Sequence, residues 1–245
     1  MGKRIIQQAR GHGSLTYRAR SKAFVYRLGY PPRGIEGTGE IIKLIHSRAH
    51  NAPIAKIILK RKDGKKKEIF YIPAFEKAYV GQKIIIGEEA PAEIGNIVRV
   101  RDLEIGTKIY NIENRPGDGG KMVRAGGTYA VISKRFSKRI FIKTPSKREI
   151  EIKPECRAQI GVVAGSGRKE KPTMKAGKKY HIKKTKNKLW PRTSAVKMNV
   201  IDHPFGSGRG KRVTHGQKGK IAKRNAPAGA RVGLIRPRRT GRKKR

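Results

Sequence analysis

The placement of acidic residues constrains the folding of this chain more than any other feature. The first acidic residue is Glu36, and from Lys171 to Arg245 only Asp202 is acidic. Residues 1–35 hold 8 basic and no acidic groups, residues 36–170 hold 28 and 16, and residues 171–245 hold 25 and 1. Like-charged segments repel themselves, so only the centre has the mixed charge and apolar content of a self-sufficient core. The chain reads as a basic extension over 1–35, a globular centre over 36–170, and a second basic extension over 171–245. A formal net charge of +44 on 245 residues also makes a free globule strongly self-repelling. A polyanion must neutralise it, and nucleic acid is the partner that commonly demands cations throughout a chain.

Neither a membrane span nor a secretory leader is expected. No apolar run approaches the roughly 20 residues of a bilayer span, and the opening Met1-Gly2-Lys3-Arg4 leads into no signal-type apolar segment. Ile6 stands where a myristoylation motif needs Ser or Thr. Cys156 is the one cysteine, which excludes an internal disulfide and a cysteine-based zinc cluster. The expected location is the cytoplasm.

Strand-length apolar or alternating runs recur through the centre between turn signals. They are Glu40–Ile45, Ile54–Lys60, Glu68–Pro73, Lys83–Ile86 and Ile97–Arg101, then Lys108–Ile112, Thr128–Ser133, Arg139–Lys143, Glu149–Lys153 and Ile160–Ala164. Asp63-Gly64 signals a hairpin, and Asp118-Gly119-Gly120 and Pro145-Ser146-Lys147 mark further turns. Short strands with almost no helical periodicity predict an all-β fold, and closure would remove their exposed edges. The pattern predicts two small five-stranded barrels over 36–93 and 94–170, jointed near Ala90-Pro91-Ala92-Glu93. The last extension shows neither strand alternation nor a sustained helical stripe. Tyr180, Trp190, Met198 and Phe205 nevertheless suggest order on binding.

Candidate chemistry follows the charge. Arg209, Lys211 and Arg212, Lys218 and Lys220, Lys223 and Arg224, and Arg236, Arg238 and Arg239 come interleaved with glycine or proline. Glycine lets backbone approach phosphates that the cations neutralise. Tyr17, Tyr26 and Tyr30 among Arg18, Arg20, Arg27 and Arg33, together with Trp190 and Phe205, are candidates for stacking on unpaired bases. With no recognition-helix, zinc-finger or heptad pattern, RNA is favoured over DNA. Asp202-His203 is the most enzyme-like pair, yet adjacent side chains usually diverge and no nucleophile accompanies it. His46 and His50 lack a third ligand, and Cys156 reads as a small packed residue. No catalytic residue, metal site or cofactor is expected.

Met198-Asn199-Val200-Ile201-Asp202-His203-Pro204-Phe205-Gly206 resembles the long loop signature of the universal large-subunit ribosomal protein L-two family. Asn111-Ile112-Glu113-Asn114-Arg115-Pro116-Gly117-Asp118-Gly119-Gly120, Arg124-Ala125-Gly126-Gly127 and Arg231-Val232-Gly233-Leu234-Ile235 are similar to other family segments. The resemblance runs from about Gly11 to Gly241, and Gly11-His12-Gly13-Ser14 is most like archaeal or eukaryotic members. It implies an OB-fold first barrel, an SH3-like second barrel, and extensions embedded in large-subunit rRNA. It also implies a structural role supporting subunit association, tRNA binding and an active peptidyl transferase centre, with other large-subunit proteins and the small subunit as neighbours. Phe205 departs from the second histidine usual in bacterial relatives, which weakens any two-histidine catalytic scheme, while Lys197 restores a nearby charge. Ser194-Ala195 stand where many members have Arg-Gly. Charge and resemblance together add His12, Lys121, Arg124, Lys197, Asn199, His203 and His215 to the expected rRNA contacts. The competing reading is a free RNA chaperone or nucleic-acid-compacting protein.

Overall fold

The computed structural model describes residues 3–207, apart from 16, 19–23, 63, 65–67, 88–89, 169 and 204. Two compact units emerge, one of residues 21–174 and one that combines 1–20 with 175–245.

The unit of residues 21–174 is built from strands, as the alternation predicts. They are β1 (Gly37–Ile45), β2 (Ile54–Arg61), β3 (Glu68–Pro73), β4 (Lys83–Ile86), β5 (Ile97–Arg99), β6 (Lys108–Tyr110), β7 (Ala130–Arg135), β8 (Ile140–Lys143), β9 (Glu149–Ile152) and β10 (Arg157–Ile160). In β1, Gly37, Gly39 and Ile41 face inward on alternate positions. The register against β2 then slips between Ile41 and Lys43, a bulge that leaves Ile42 and Leu44 exposed. Gly39 is required by close approach, since a Cβ there would sit 2.7 Å from Ile57 Cγ2.

The expected barrel closure is not found. The ladder runs linearly as β3-β2-β1-β4-β5-β10-β6-β7-β8-β9, so it is one open sheet whose end strands do not pair. The reason lies in the middle of the chain. β5 bonds β4 on one edge and β10 on the other, and β10 bonds β5 and β6. Neither β5 nor β10 has an edge left with which to close its own half.

Two apolar clusters nonetheless form. The first collects Ile41, Ile57, Leu59, Ile72, Phe75, Ile84 and Ile97 with Tyr30 and Tyr110. The second collects Val98, Val100, Leu103, Ile109, Ile132, Ile140, Ile142, Ile152, Cys156 and Ala158. Val123 packs against both. Burial of such aliphatic side chains stabilises the fold by about 1.5–3 kcal/mol each.

The last strand differs from expectation, running over Arg157–Ile160 rather than Ile160–Ala164. Gly161, at φ +115°, ends it in a conformation that side-chain-bearing residues rarely adopt. Tyr30 is a second correction: it is buried, and its hydroxyl donates to the Asn111 carbonyl, so it is not free to stack on a base. Tyr26 is half-buried with its ring 5.1 Å from that of Tyr71.

The unit of 1–20 with 175–245 contains α1 (Ile6–Gly11) and α2 (Ala176–Thr185). α2 corrects the expectation of an irregular last extension. It buries no residue and carries Lys178, Lys179, Lys183 and Lys184 with no acid in its first turn. Such a helix follows from good helix formers without any apolar stripe, which is why periodicity does not reveal it.

Candidate nucleic-acid interface

In the strand-built unit, the loop from Asn111 to Gly127 turns its acids inward and its bases outward. Glu113 is fully buried. Its carboxylate accepts from the backbone N–H groups of Gly117 at 3.2 Å, Gly119 at 3.1 Å and Arg157 at 2.9 Å. The Arg157 guanidinium completes the site, with Nη2 2.9 Å and Nε 3.2 Å from Oε1. Arg157 also donates to the Pro31 carbonyl at 2.9 Å and lies 5.3 Å from the centre of the Tyr30 ring. This one pair therefore ties the loop, β10 and the segment entering β1 together.

Asp118 organises the outer part of the same loop. It accepts from the N–H groups of Asn114, Arg115 and Gly120, each at 3.2 Å, and lies 3.8 Å from Lys121 Nζ. Gly120 holds φ +81°, and a Cβ there would collide with Asn111. Both carboxylates are thus engaged, and Lys121 is left exposed while Arg115 is exposed beside it. Arg124 is half-buried and donates to the Gly120 carbonyl at 2.9 Å; burial lowers its pKa from the usual value.

Arg33 is exposed and belongs to an arginine ring around Glu155. Arg33, Arg99 and Arg101 lie 3.9, 3.8 and 3.0 Å from that carboxylate. Arg27 is exposed. Nearby in sequence to β2, the His50 Nδ1 is 2.8 Å from Ser47 Oγ and its ring meets Phe24 edge-on at 5.6 Å. His46 is exposed, and among the described residues no cluster of His, Cys, Asp or Glu has a metal-binding arrangement. Cys156 is buried, and its thiol is pushed up to about 11 chiefly by burial.

In the other unit, the segment Met198–Ser207 closes on itself. Ser207 N–H donates to the Met198 carbonyl at 2.9 Å, Gly206 N–H to His203 at 2.9 Å, and Asp202 and His203 N–H to Asn199 at 3.0 and 3.1 Å. A Cβ at Gly206 would overlap the Asn199 carbonyl, so the closure requires glycine there. Asp202 pairs with Lys3 at 3.4 Å, and no bond links it to His203 among the described residues. Instead His203 Nδ1 accepts the Phe205 N–H at 3.1 Å, with the two rings 5.1 Å apart. That bond selects the neutral tautomer with its proton on Nε2, a donor suited to phosphate, ribose or base oxygens. Burial lowers the His203 pKa in the same direction.

Trp190 lines a hollow of about 360 Å³ with Leu15, Arg18, Tyr180, Lys184 and Lys188. Lys179 Nζ lies 5.4 Å from the Trp190 ring and Lys184 Nζ 5.4 Å from the Tyr180 ring. Aromatic faces and cations thus share one half-open surface. His12 caps the end of α1 and is exposed, as are Lys197 and Asn199. The remaining expected contacts, Arg20, Arg209, Lys211, Arg212, His215, Lys218, Lys220, Lys223, Arg224, Arg236, Arg238 and Arg239, lie outside the described residues. Sequence reasoning did not find Glu113–Arg157, whose partners are 44 positions apart; the lone acid in Asn111-Ile112-Glu113-Asn114 was its only trace.

Two of these histidines give a pH test. His50 and His203 both hold their protons less readily than the usual 6.5, through burial and, for His50, also through Arg124. Below that value the unfolded chain takes up protons that the folded chain resists. Their contribution is therefore complete above about pH 6.5 and falls as acidity passes through the lowered folded values. The urea midpoint of His50→Asn should fall less than that of the parent between pH 7.5 and 5; equal falls would refute the contribution of His50.

Comparison with known proteins agrees with the sequence motifs. Residues 93–225 match the family described as Ribosomal Proteins L2, C-terminal domain. Over 246 residues the chain is 44% identical to the large ribosomal subunit protein uL2 of Hyperthermus butylicus, covering 100% of both chains. It is 42% identical over 244 residues to uL2 of Archaeoglobus fulgidus, covering 98% of this chain and 99% of that one.

Proposed function

Because the chain belongs to the uL2 family of large-ribosomal-subunit proteins, in its archaeal form, we propose that it is a primary rRNA-binding constituent of that subunit. The observation that carries this reading is a +44 charge on a chain that turns the Glu113 and Asp118 carboxylates inward while leaving Lys121 and Arg115 exposed beside them. Glu113 and Asp118 are engaged by backbone N–H groups, and the more exposed Glu149, Glu151 and Glu155 by lysine or arginines, so cations outnumber and offset the acids that face solvent. RNA phosphates are the polyanion that a ribosomal protein meets. Lys121, Arg124, Arg27, Arg33, the closed His203 loop, and the Trp190 hollow with Arg18 are the proposed contacts, joined by the basic clusters after residue 207.

On the family resemblance, 36–93 is assigned to an OB-like half and 94–170 to an SH3-like half of the open sheet, each holding most of one apolar cluster although Ile97, Tyr110 and Val163 join the first, with 1–35 and 171–245 as RNA-embedded extensions. The chain is proposed to support subunit association, tRNA binding and an active peptidyl transferase centre, in cytoplasmic ribosomes beside other large-subunit proteins and facing the small subunit. Among the described residues no helix is long and apolar enough to cross a membrane. Sedimentation tests this against the free-chaperone reading. Stoichiometric recovery with large subunits supports it, and recovery mainly as free protein or on DNA overturns it.

No catalytic role is proposed. His203 is bonded to its own loop, and no carboxylate orients it among the described residues. In particles matched for occupancy, His203→Ala should leave single-turnover peptide-bond formation within about twofold, whereas losing a general base typically costs about 10²–10⁴. A loss on that scale would reinstate catalysis.

A further inference from the structure

A hollow of about 720 Å³ in the strand-built unit lies beside the turn that joins β7 and β8. Its chemistry is unlike a core defect. Phe136 and Ile105 stand 57% and 62% exposed at its edge, and Arg135 and Lys138 flank Phe136 along the chain. Phe136 N–H donates to the Arg139 carbonyl at 2.8 Å, which closes the turn, and Phe141 braces the Phe136 ring edge-on at 5.9 Å. The aromatic face is therefore held in place before anything binds, which lowers the ordering cost of a partner.

The charges select the partner. Glu155 is the acid in this lining, and three arginines already surround it. Arg135 and Lys138 have no acidic partner among the described residues. By contrast, Lys134 and Arg139, the neighbours of this turn, pair with Glu149 at 3.4 Å and Glu151 at 3.5 Å. An apolar plate between two uncompensated cations matches a base between two backbone phosphates.

We propose that this hollow receives an unstacked nucleotide of folded RNA, with its base on Phe136 and Ile105 and its flanking phosphates on Arg135 and Lys138. The assignment rests on the rRNA-binding reading and extends it to a surface that the sequence motifs do not mark. An acidic protein segment is the rival occupant.

The test uses the full chain and purified large-subunit rRNA, with affinity measured across a salt series. Phe136→Ala should weaken binding about 5- to 100-fold with an unchanged salt slope, because stacking releases no counterions. Phe136→Trp should restore it. Arg135→Gln with Lys138→Gln should lower the slope by up to about 2. If the parent chain binds steeply with salt and Phe136→Ala is within twofold of it, the hollow is not an RNA site although the RNA reading stands. If the parent does not bind, both fall. In assembled particles, a photoreactive analogue at position 136 should crosslink to rRNA, and crosslinking to protein alone would overturn the assignment in favour of the rival.

Discussion

Arg157→Met is expected to destabilise the strand-built unit by about 3–5 kcal/mol, because it leaves the Glu113 carboxylate buried without its counter-charge. The substitution preserves much of the stem volume but removes the bonds to Glu113, the contact with the Pro31 carbonyl and the cation above the Tyr30 ring. With a urea m-value of about 1–3 kcal/mol/M, the midpoint should fall by roughly 1 M or more. Charge, rather than lost packing, is the assigned cause, and a second substitution separates them. Glu113→Gln in the Arg157→Met background should recover part of the loss, since it removes the buried charge and a neutral amide oxygen placed where Oε2 stands still accepts the backbone N–H groups of residues 117 and 157. Lys134→Ala breaks an exposed pair with Glu149 and should change stability by at most about 1 kcal/mol. If Arg157→Met behaved like Lys134→Ala, Glu113 would not be the keystone of the loop.

Strands were legible where side-chain alternation met one buried face. Glu149-Ile150-Glu151-Ile152 alternates in sequence, and Ile152 lies in the second core while Glu149 and Glu151 are exposed. The same reasoning misplaced β10. Gly161-Val162-Val163-Ala164 looks strand-like, but the pairing begins at Arg157, where β10 meets Arg99 of β5. Pairing partners are long-range facts that alternation does not encode, and they also decided that the ladder stays open. α2 was invisible for a different reason: a helix with no buried face has no apolar period to detect.

The candidate interface was legible as charge but not as geometry. A count of cations does not tell which ones the fold neutralises. Arg33 and Arg101 look like Arg27 in sequence, yet both reach Glu155, a residue 122 and 54 positions away. The closed loop around His203 was visible as a motif, whereas the bond from Phe205 N–H to His203 Nδ1 was not. That bond also explains why phenylalanine suffices at 205. The backbone supplies the donor, and the ring adds apolar contact to the imidazole.

Affinity for large-subunit rRNA should fall by about 10³ to 10⁵ between 50 and 200 mM salt if the chain neutralises even 6–10 phosphates. The charge inventory makes this a lower expectation. Residues 208–245 carry 15 Lys and Arg with no acid, so none of these cations can be silenced from within that segment. Replacing Lys218, Lys220, Lys223 and Arg224 by glutamine should reduce the slope of log affinity against log salt by up to about 3 to 4 if each meets a phosphate. Replacing Lys134 and Arg139, which pair with acids in the structure, should reduce it far less. The contrast matters because a nonspecific polycation would lose slope in proportion to charge removed, wherever it was removed. Equal losses per charge for compensated and uncompensated cations would mean that the fold does not choose which charges face RNA, and the inward turn of Glu113 and Asp118 and the arginine pairing of Glu155 would then serve folding alone.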